Sequence, residues 1–242
     1  MPSFSSKYRS TEIEVMDSFH LQGKDMQAVL TDLKTVSTLL RGASITLNGI
    51  KKLLTGYDNQ KCITILDIGC GDGEMLRQCA RFGKKHGYNF NLIGLDANKH
   101  IISEAKKRCK PYENITFTQF DVFSSQSLPP AEIIVCNLFL HHFKNEEITL
   151  ILQKLVDSAN IGVVVNDLNR NKMAFSLFKI FSRIFLKTDI AKNDGLVSVA
   201  RGFKRREIEL FSEKIYNQKS HIRWKWAFRY QWILKKQYEY KD

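Results

Sequence analysis

Leu66-Asp67-Ile68-Gly69-Cys70-Gly71-Asp72-Gly73 is the stretch whose reading decides the fold. It follows a β-branched apolar run, Cys62-Ile63-Thr64-Ile65, and precedes a helical pattern over 74–82. Glycines at 69, 71 and 73 permit a tight turn with φ > 0 and let a ligand approach the main chain closely. The helix that follows offers unpaired N–H groups at its start. Strand, glycine turn and helix together make a holder for a nucleotide-like ligand.

The kind of nucleotide follows from what surrounds the glycines. A dinucleotide fingerprint would place a third glycine where Glu74 stands, which weakens a nicotinamide oxidoreductase. Asp67 and Asp72 bracket the turn. Carboxylates there repel a pyrophosphate and suit a cation. S-adenosylmethionine (SAM) carries a sulfonium and an ammonium and no phosphate. On these residues the chain resembles the class I SAM-dependent methyltransferases, whose first motif reads like Leu66–Gly73.

Later strands continue the pattern. Asn91–Asp96 is a second apolar strand, and Asp96 lies 29 residues beyond Asp67, one strand–helix–strand repeat later. A carboxylate there can accept from both ribose hydroxyls, or it can serve the start of the helix near Lys99. The alternating strand Asn114–Phe120 runs into Asp121-Val122. The resemblance implies that Asp121 accepts from the adenine amino group while the Val122 N–H meets a ring nitrogen. It implies a cofactor site of Asp67, Gly69, Cys70, Gly71, Asp96, Ala97, Asp121, Val122, Asn137 and Leu138. SAM would leave as S-adenosylhomocysteine, with no metal required.

The fourth strand, Glu132–Cys136, leads into Asn137-Leu138-Phe139-Leu140-His141-His142-Phe143. Ligands lie at the carboxyl ends of strands in open α/β sheets. The Asn-Pro-Pro-Tyr tetrad of amino-group methylation is absent, which argues against nucleobase or glutamine amides. A His pair can supply a general base for a phenol or carboxyl acceptor, with His142 ahead of His141, or can serve packing alone. No third ligand at suitable spacing makes the pair a metal site.

Gly162–Leu168 is an apolar central strand, with Asn166, Asp167 and Arg170 at its exit. Met173–Leu186 is apolar on nearly all faces, so it is expected to be buried or to line an apolar cavity. Lys172, Lys179, Arg183 and Lys187 interleave it, which leaves a membrane-surface helix as another reading. Residues 194–203 read as a loop carrying Asp194, Ser198 and Arg201, where Arg201 holds an anionic acceptor or pairs with Asp194. With Val15-Met16-Asp17, the His pair and 166–170, this stretch resembles a bacterial group of small-molecule methyltransferases associated with polyketide and aromatic-pigment pathways. That resemblance implies substrate contacts from Asp167, Arg170, Phe178 and Arg201. The segment 222–228 reads as a half-buried strand with a return strand over 230–234.

The 242 residues suffice for one α/β domain with a sizeable core. The expected fold is Rossmann-like: a seven-stranded, mostly parallel sheet with an antiparallel last strand and helices on both faces. A helical N-terminal cap over 1–58 precedes the catalytic unit at 59–242, with 169–200 inserted as a substrate pocket. Five scattered cysteines without Cys-x-x-Cys spacing, no secretory pattern at the start and no membrane-length apolar run point to a reduced, cytoplasmic protein. The net charge is +12, and residues 201–242 hold twelve Lys/Arg against five Asp/Glu. That basicity keeps RNA or protein methylation as an alternative, beside a non-catalytic SAM-binding scaffold. The favoured reading is O-methylation of a small, mainly apolar or aromatic acceptor in secondary metabolism, with nucleic acid disfavoured and homodimerisation left open.

Overall fold

The computed structural model describes residues 2–18 and 21–237. Seven strands form one sheet: β1 (Cys62–Ile68), β2 (Asn89–Asp96), β3 (Ile115–Gln119), β4 (Ala131–Asn137), β5 (Ala159–Leu168), β6 (Gln218–Lys225) and β7 (Arg229–Lys236). Their order is β3-β2-β1-β4-β5-β7-β6. β1 to β5 are parallel, while β7 runs antiparallel to both β5 and β6. The parallel strands are continuous apolar runs because helices cover both faces. The chain order reverses between β1 and β4, and that switch point opens the crevice in which an α/β sheet binds ligands.

Helices α3 (Glu74–His86), α4 (Lys99–Arg108), α5 (Asn145–Ser158) and α8 (Arg205–Glu213) connect the strands. The N-terminal region divides into two parts. α1 (Gly23–Leu39) lies over the carboxyl ends of the strands, but α2 (Ala43–Leu53) is a core helix on the sheet. A Cβ at Gly49 would stand 2.5 Å from Val164 Cγ1, so the glycine is what lets α2 lie that close to β5.

Two local expectations are corrected. Residues 189–201 form a helix, α7 (Asp189–Arg201), which takes up most of the loop expected over 194–203. Thr188 caps it, accepting from Ala191 N at 3.2 Å, and Asp32 of α1 accepts from Lys187 N and Thr188 N. The stabilising carboxylate is 155 residues away in sequence, outside any local window. Trp226, Ala227 and Phe228 form the β6–β7 turn, with Phe228 at φ +55°, instead of continuing the strand. Cys62 is exposed, while Cys70, Cys79, Cys109 and Cys136 are buried thiols.

Candidate active site

The glycine turn takes the strained path that its residue types permit. Gly69, Gly71 and Gly73 have φ of +67°, +55° and +77°. The N–H groups of Gly69 and Cys70 both donate to Leu95 O, at 2.9 and 3.0 Å, which folds the turn back onto β2. Gly69 also lets Phe139 close over the turn: a Cβ there would meet that ring at 2.3 Å. At Gly71 a Cβ would meet nothing within 4 Å, so this glycine faces open space.

Carboxylates surround that space. Asp96 accepts from Gly71 N at 3.1 Å and from Asn98 N at 2.9 Å. Burial raises its pKa despite both bonds. Asp67 is buried, and its Oδ1 has no partner among the described residues. Burial and then the charge of Asp96 push its carboxyl well above the usual range. Asp121 stands at the end of β3 beside buried Val122 and accepts from Phe123 N. All ten expected cofactor residues line one cavity of about 970 Å³. No Lys or Arg lines it from the ends of β1 to β4. A cradle with an orphaned acceptor, further carboxylates and no Lys or Arg at the strand ends fits a cationic nucleoside and rejects a pyrophosphate. Asp72 does not take part as expected, because its carboxylate pairs with Arg77 and Arg108 at 3.2 and 2.8 Å.

Beyond β4 the chain turns at Leu138, which has φ +53°, and enters a short 3-10 helix, Leu140–His142. Backbone strain of this kind in a non-glycine residue concentrates at functional sites. His141 and His142 both line the cavity, with ring centroids 4.2 Å apart. They are not equivalent. His141 is buried, its Nδ1 lies 2.7 Å from Asp167 Oδ1, and its Nε2 lies 3.4 Å from Glu14 Oε1. Burial alone would lower its pKa, but Asp167 and then Glu14 hold it at about 9. The two acids favour the charged form of His141, which sets it behind His142 as a base. His142 is partly open, and its Nδ1 lies 3.0 Å from Asp17 Oδ2. A proton on Nδ1 shared with Asp17 leaves Nε2 as an acceptor, and no described residue occupies it.

Glu14 and Asp17 were not singled out as site residues. Asp194 brings them in, its carboxylate accepting from Val15 N and Met16 N at 3.0 and 3.1 Å. Burial would raise the Glu14 pKa, but His142, His141 and Ser198 bring it below the ordinary value. Glu14, His141 and His142 could together offer three metal-ligand atoms, so the missing third group exists in space although not in sequence spacing. Each of them already has an internal partner, and nothing indicates a metal.

Three expected substrate contacts are corrected. Arg201 donates to the carbonyls of His141, His142 and Glu12, and so fixes the backbone of the His pair. Arg170 is fully buried, paired with Glu207 and Gly202 O. Asp167 is committed to His141. None of the three lines the cavity. Phe178 does, resting on Gly195, where a Cβ would lie 2.3 Å from its ring. It belongs to α6 (Lys172–Phe185), which also contributes Leu177, Ile180, Phe181, Ile184 and Phe185 to the lining. α6 is not buried: Ile180 is 57% and Ile184 68% exposed, so its apolar stripe forms the cavity mouth.

A family profile described as a methyltransferase domain matches residues 59–231. The chain belongs to the class I SAM-dependent methyltransferases. The methyltransferase shares its fold with the plantazolicin methyltransferase BpumL, solved with S-adenosylhomocysteine (TM-score 0.68, 15% identity, 92% of this chain and 93% of that one). It also resembles magnesium protoporphyrin IX methyltransferase from Synechocystis PCC 6803 (TM-score 0.56, 16% identity, 84% and 87% covered). Among curated sequences it is 27% identical over 95 residues to a carboxy-S-adenosyl-L-methionine synthase of Nitratiruptor sp., covering 39% of this chain and 38% of that protein. Matched stretches span between 4% and 38% of the length of such curated relatives. Among the described residues of the methyltransferase, no helix is long and apolar enough to cross a membrane.

Proposed function

We propose that the methyltransferase methylates an oxygen of a small, mainly apolar or aromatic acceptor in secondary metabolism, with His142 as general base. The observation that carries this reading is the shared cavity: the glycine turn, His142 and the apolar stripe of α6 all line it. SAM, when bound, supplies an electrophilic methyl group. Asp67, Asp96, Asp121 and Val122 are the residues that would hold it. Displacement at carbon needs alignment and exclusion of water more than covalent help. Phe139, Phe178 and Phe181 give the acceptor an apolar wall that does both. His142 Nε2 takes the acceptor proton, Asp17 fixes the ring, and the charged His141 holds the neighbouring backbone through Asp167. The solved relatives named above act, by their names, on a porphyrin and on plantazolicin, which suits a small-molecule acceptor. Residues 1–58 contribute α1 as a cover over this cavity.

Incubation with SAM and a panel of phenols and carboxylic acids tests the proposal. The expected result is release of S-adenosylhomocysteine with the new methyl located on oxygen by mass spectrometry. Turnover confined to amines, or none with any hydroxyl or carboxyl acceptor, would sink it.

A further inference from the structure

We propose that Arg229 is an acceptor-binding residue, holding a carboxylate on an otherwise apolar acceptor. This deepens, and rests on, the small-acceptor reading above. Arg229 opens β7 directly beside Leu168, the last residue of β5. Both line the cavity. β7 lies on the far side of β4 from the glycine turn, so Arg229 belongs to the acceptor half of the crevice.

Its surroundings provide a seat but no counter-ion. The residue is 2% exposed. Its guanidinium rests against Gly42, where a Cβ would stand 3.0 Å from both Cζ and Nη1. Nε is buried without a partner, and among the described residues no carbonyl or carboxylate is hydrogen-bonded to the guanidinium. Asp167 is the acid whose charge it feels, but that carboxylate accepts from His141 Nδ1 and Leu168 N, both at 2.7 Å. Burial lowers the pKa to about 10, so Arg229 remains a cation at neutral pH.

The contrast with its equally buried neighbours is informative. Arg170 has Glu207, and Arg201 has three carbonyls. A buried charge left without a partner is strongly unfavourable unless something compensates it. A planar guanidinium fork matches a carboxylate in two parallel hydrogen bonds. Trp226, Phe228 and Phe178 line the same cavity and suit an aromatic or aliphatic body. Of the other cations in the lining, His141 has Asp167 and Glu14 beside it, and Lys34 is exposed on α1 and can meet its charge with water.

Calorimetry on the full chain with S-adenosylhomocysteine present tests this, using 2-naphthoate, its methyl ester and 2-naphthalenemethanol as probes. Naphthoate is expected to bind at least about tenfold more tightly than either neutral probe, as a charge-assisted pair requires. Arg229→Met should abolish that preference, while S-adenosylhomocysteine affinity stays unchanged and the Tm holds or rises. Arg229→Lys should retain part of the preference. Equal binding of acid and ester by the wild type, no binding of any probe, or a preference that survives in Arg229→Met would overturn the assignment. So would a fall in Tm with loss of S-adenosylhomocysteine binding in Arg229→Met, which would mark a structural role. Turnover of neutral phenols without any preference for acids removes Arg229 from acceptor binding but leaves O-methylation standing. Absence of turnover with every oxygen acceptor removes O-methylation instead.

Discussion

Asp167 Oδ1 lies 2.7 Å from His141 Nδ1, deep in the protein, and this pair divides the labour between two adjacent histidines. With Glu14 at the other nitrogen, His141 is clamped as an imidazolium. Its neighbour His142 lies 3.0 Å from Asp17 and 3.9 Å from Glu14, both through Nδ1, and no described residue is hydrogen-bonded to its Nε2. One histidine is enclosed between two acids, and the other is partly open to the cavity.

The clamp makes stability depend on pH in a defined direction. His141 has a folded pKa of about 9, above the ordinary value near 6.5. Its contribution is therefore complete below about pH 6.5 and is lost as pH rises through about 9, on the order of a few kcal/mol. Glu14 and Asp167 are held below their usual range, so their contribution is lost only as pH falls beneath about 4. Urea unfolding between pH 6 and 9.5 should show the alkaline loss, and Asp167→Asn should flatten it.

Replacing His142 should act on chemistry and not on the cofactor. His142→Gln is expected to lower kcat/KM for an oxygen acceptor by about 10²–10⁴, with the SAM dissociation constant unchanged in calorimetry. Asp17→Asn, which frees the ring it orients, should lose less, roughly tenfold. A His142→Gln enzyme as fast as wild type would show that the acceptor ionises without this base.

The glycine turn offers a comparison between two positions a pair of residues apart. Gly69→Ala must displace Phe139 and should reduce both Tm and SAM binding. Gly71→Ala meets no protein atom, so its cost is the left-handed backbone alone, about 1–2 kcal/mol. Its larger effect should be on SAM affinity, because the new methyl enters the space where the cofactor would lie. Equal effects of the two on Tm and affinity would contradict that division.

Arg201 and Arg170 should behave as structural residues. Arg201→Met strands the carbonyls of His141 and His142 and is expected to cost about 2–4 kcal/mol in denaturant unfolding. Arg170→Met leaves Glu207 without its buried partner, with a loss of similar size. Neither should change acceptor KM by more than the loss of folded protein explains.

The fold was legible because its signals are local. The glycine turn, the apolar parallel strands and the acid at each strand end recur at a spacing that one repeat of strand and helix imposes; the family resemblance carried by those residues implied the rest of the ten that line the cavity. The base and its supports were only half legible. The sequence placed His142 ahead of His141 as a base, but the carboxylates that distinguish the two come from distant segments. Glu14 and Asp17 lie on a short N-terminal segment that Asp194, far away in the sequence, brings to the site. Arg201 and Arg170 look like anion binders until the carbonyls and the Glu207 carboxylate that occupy them are in place.

The sequence by itself thus determined a doubly wound sheet and a cation-accepting turn at the end of its first strand, because backbone permission and charge are properties of the residues themselves. Which buried charges are already matched was decided only by tertiary structure. A pairing energy depends on distance and on the exclusion of water, and both are set by tertiary contacts such as His141–Asp167, 26 residues apart, and Arg201–Glu12, 189 apart.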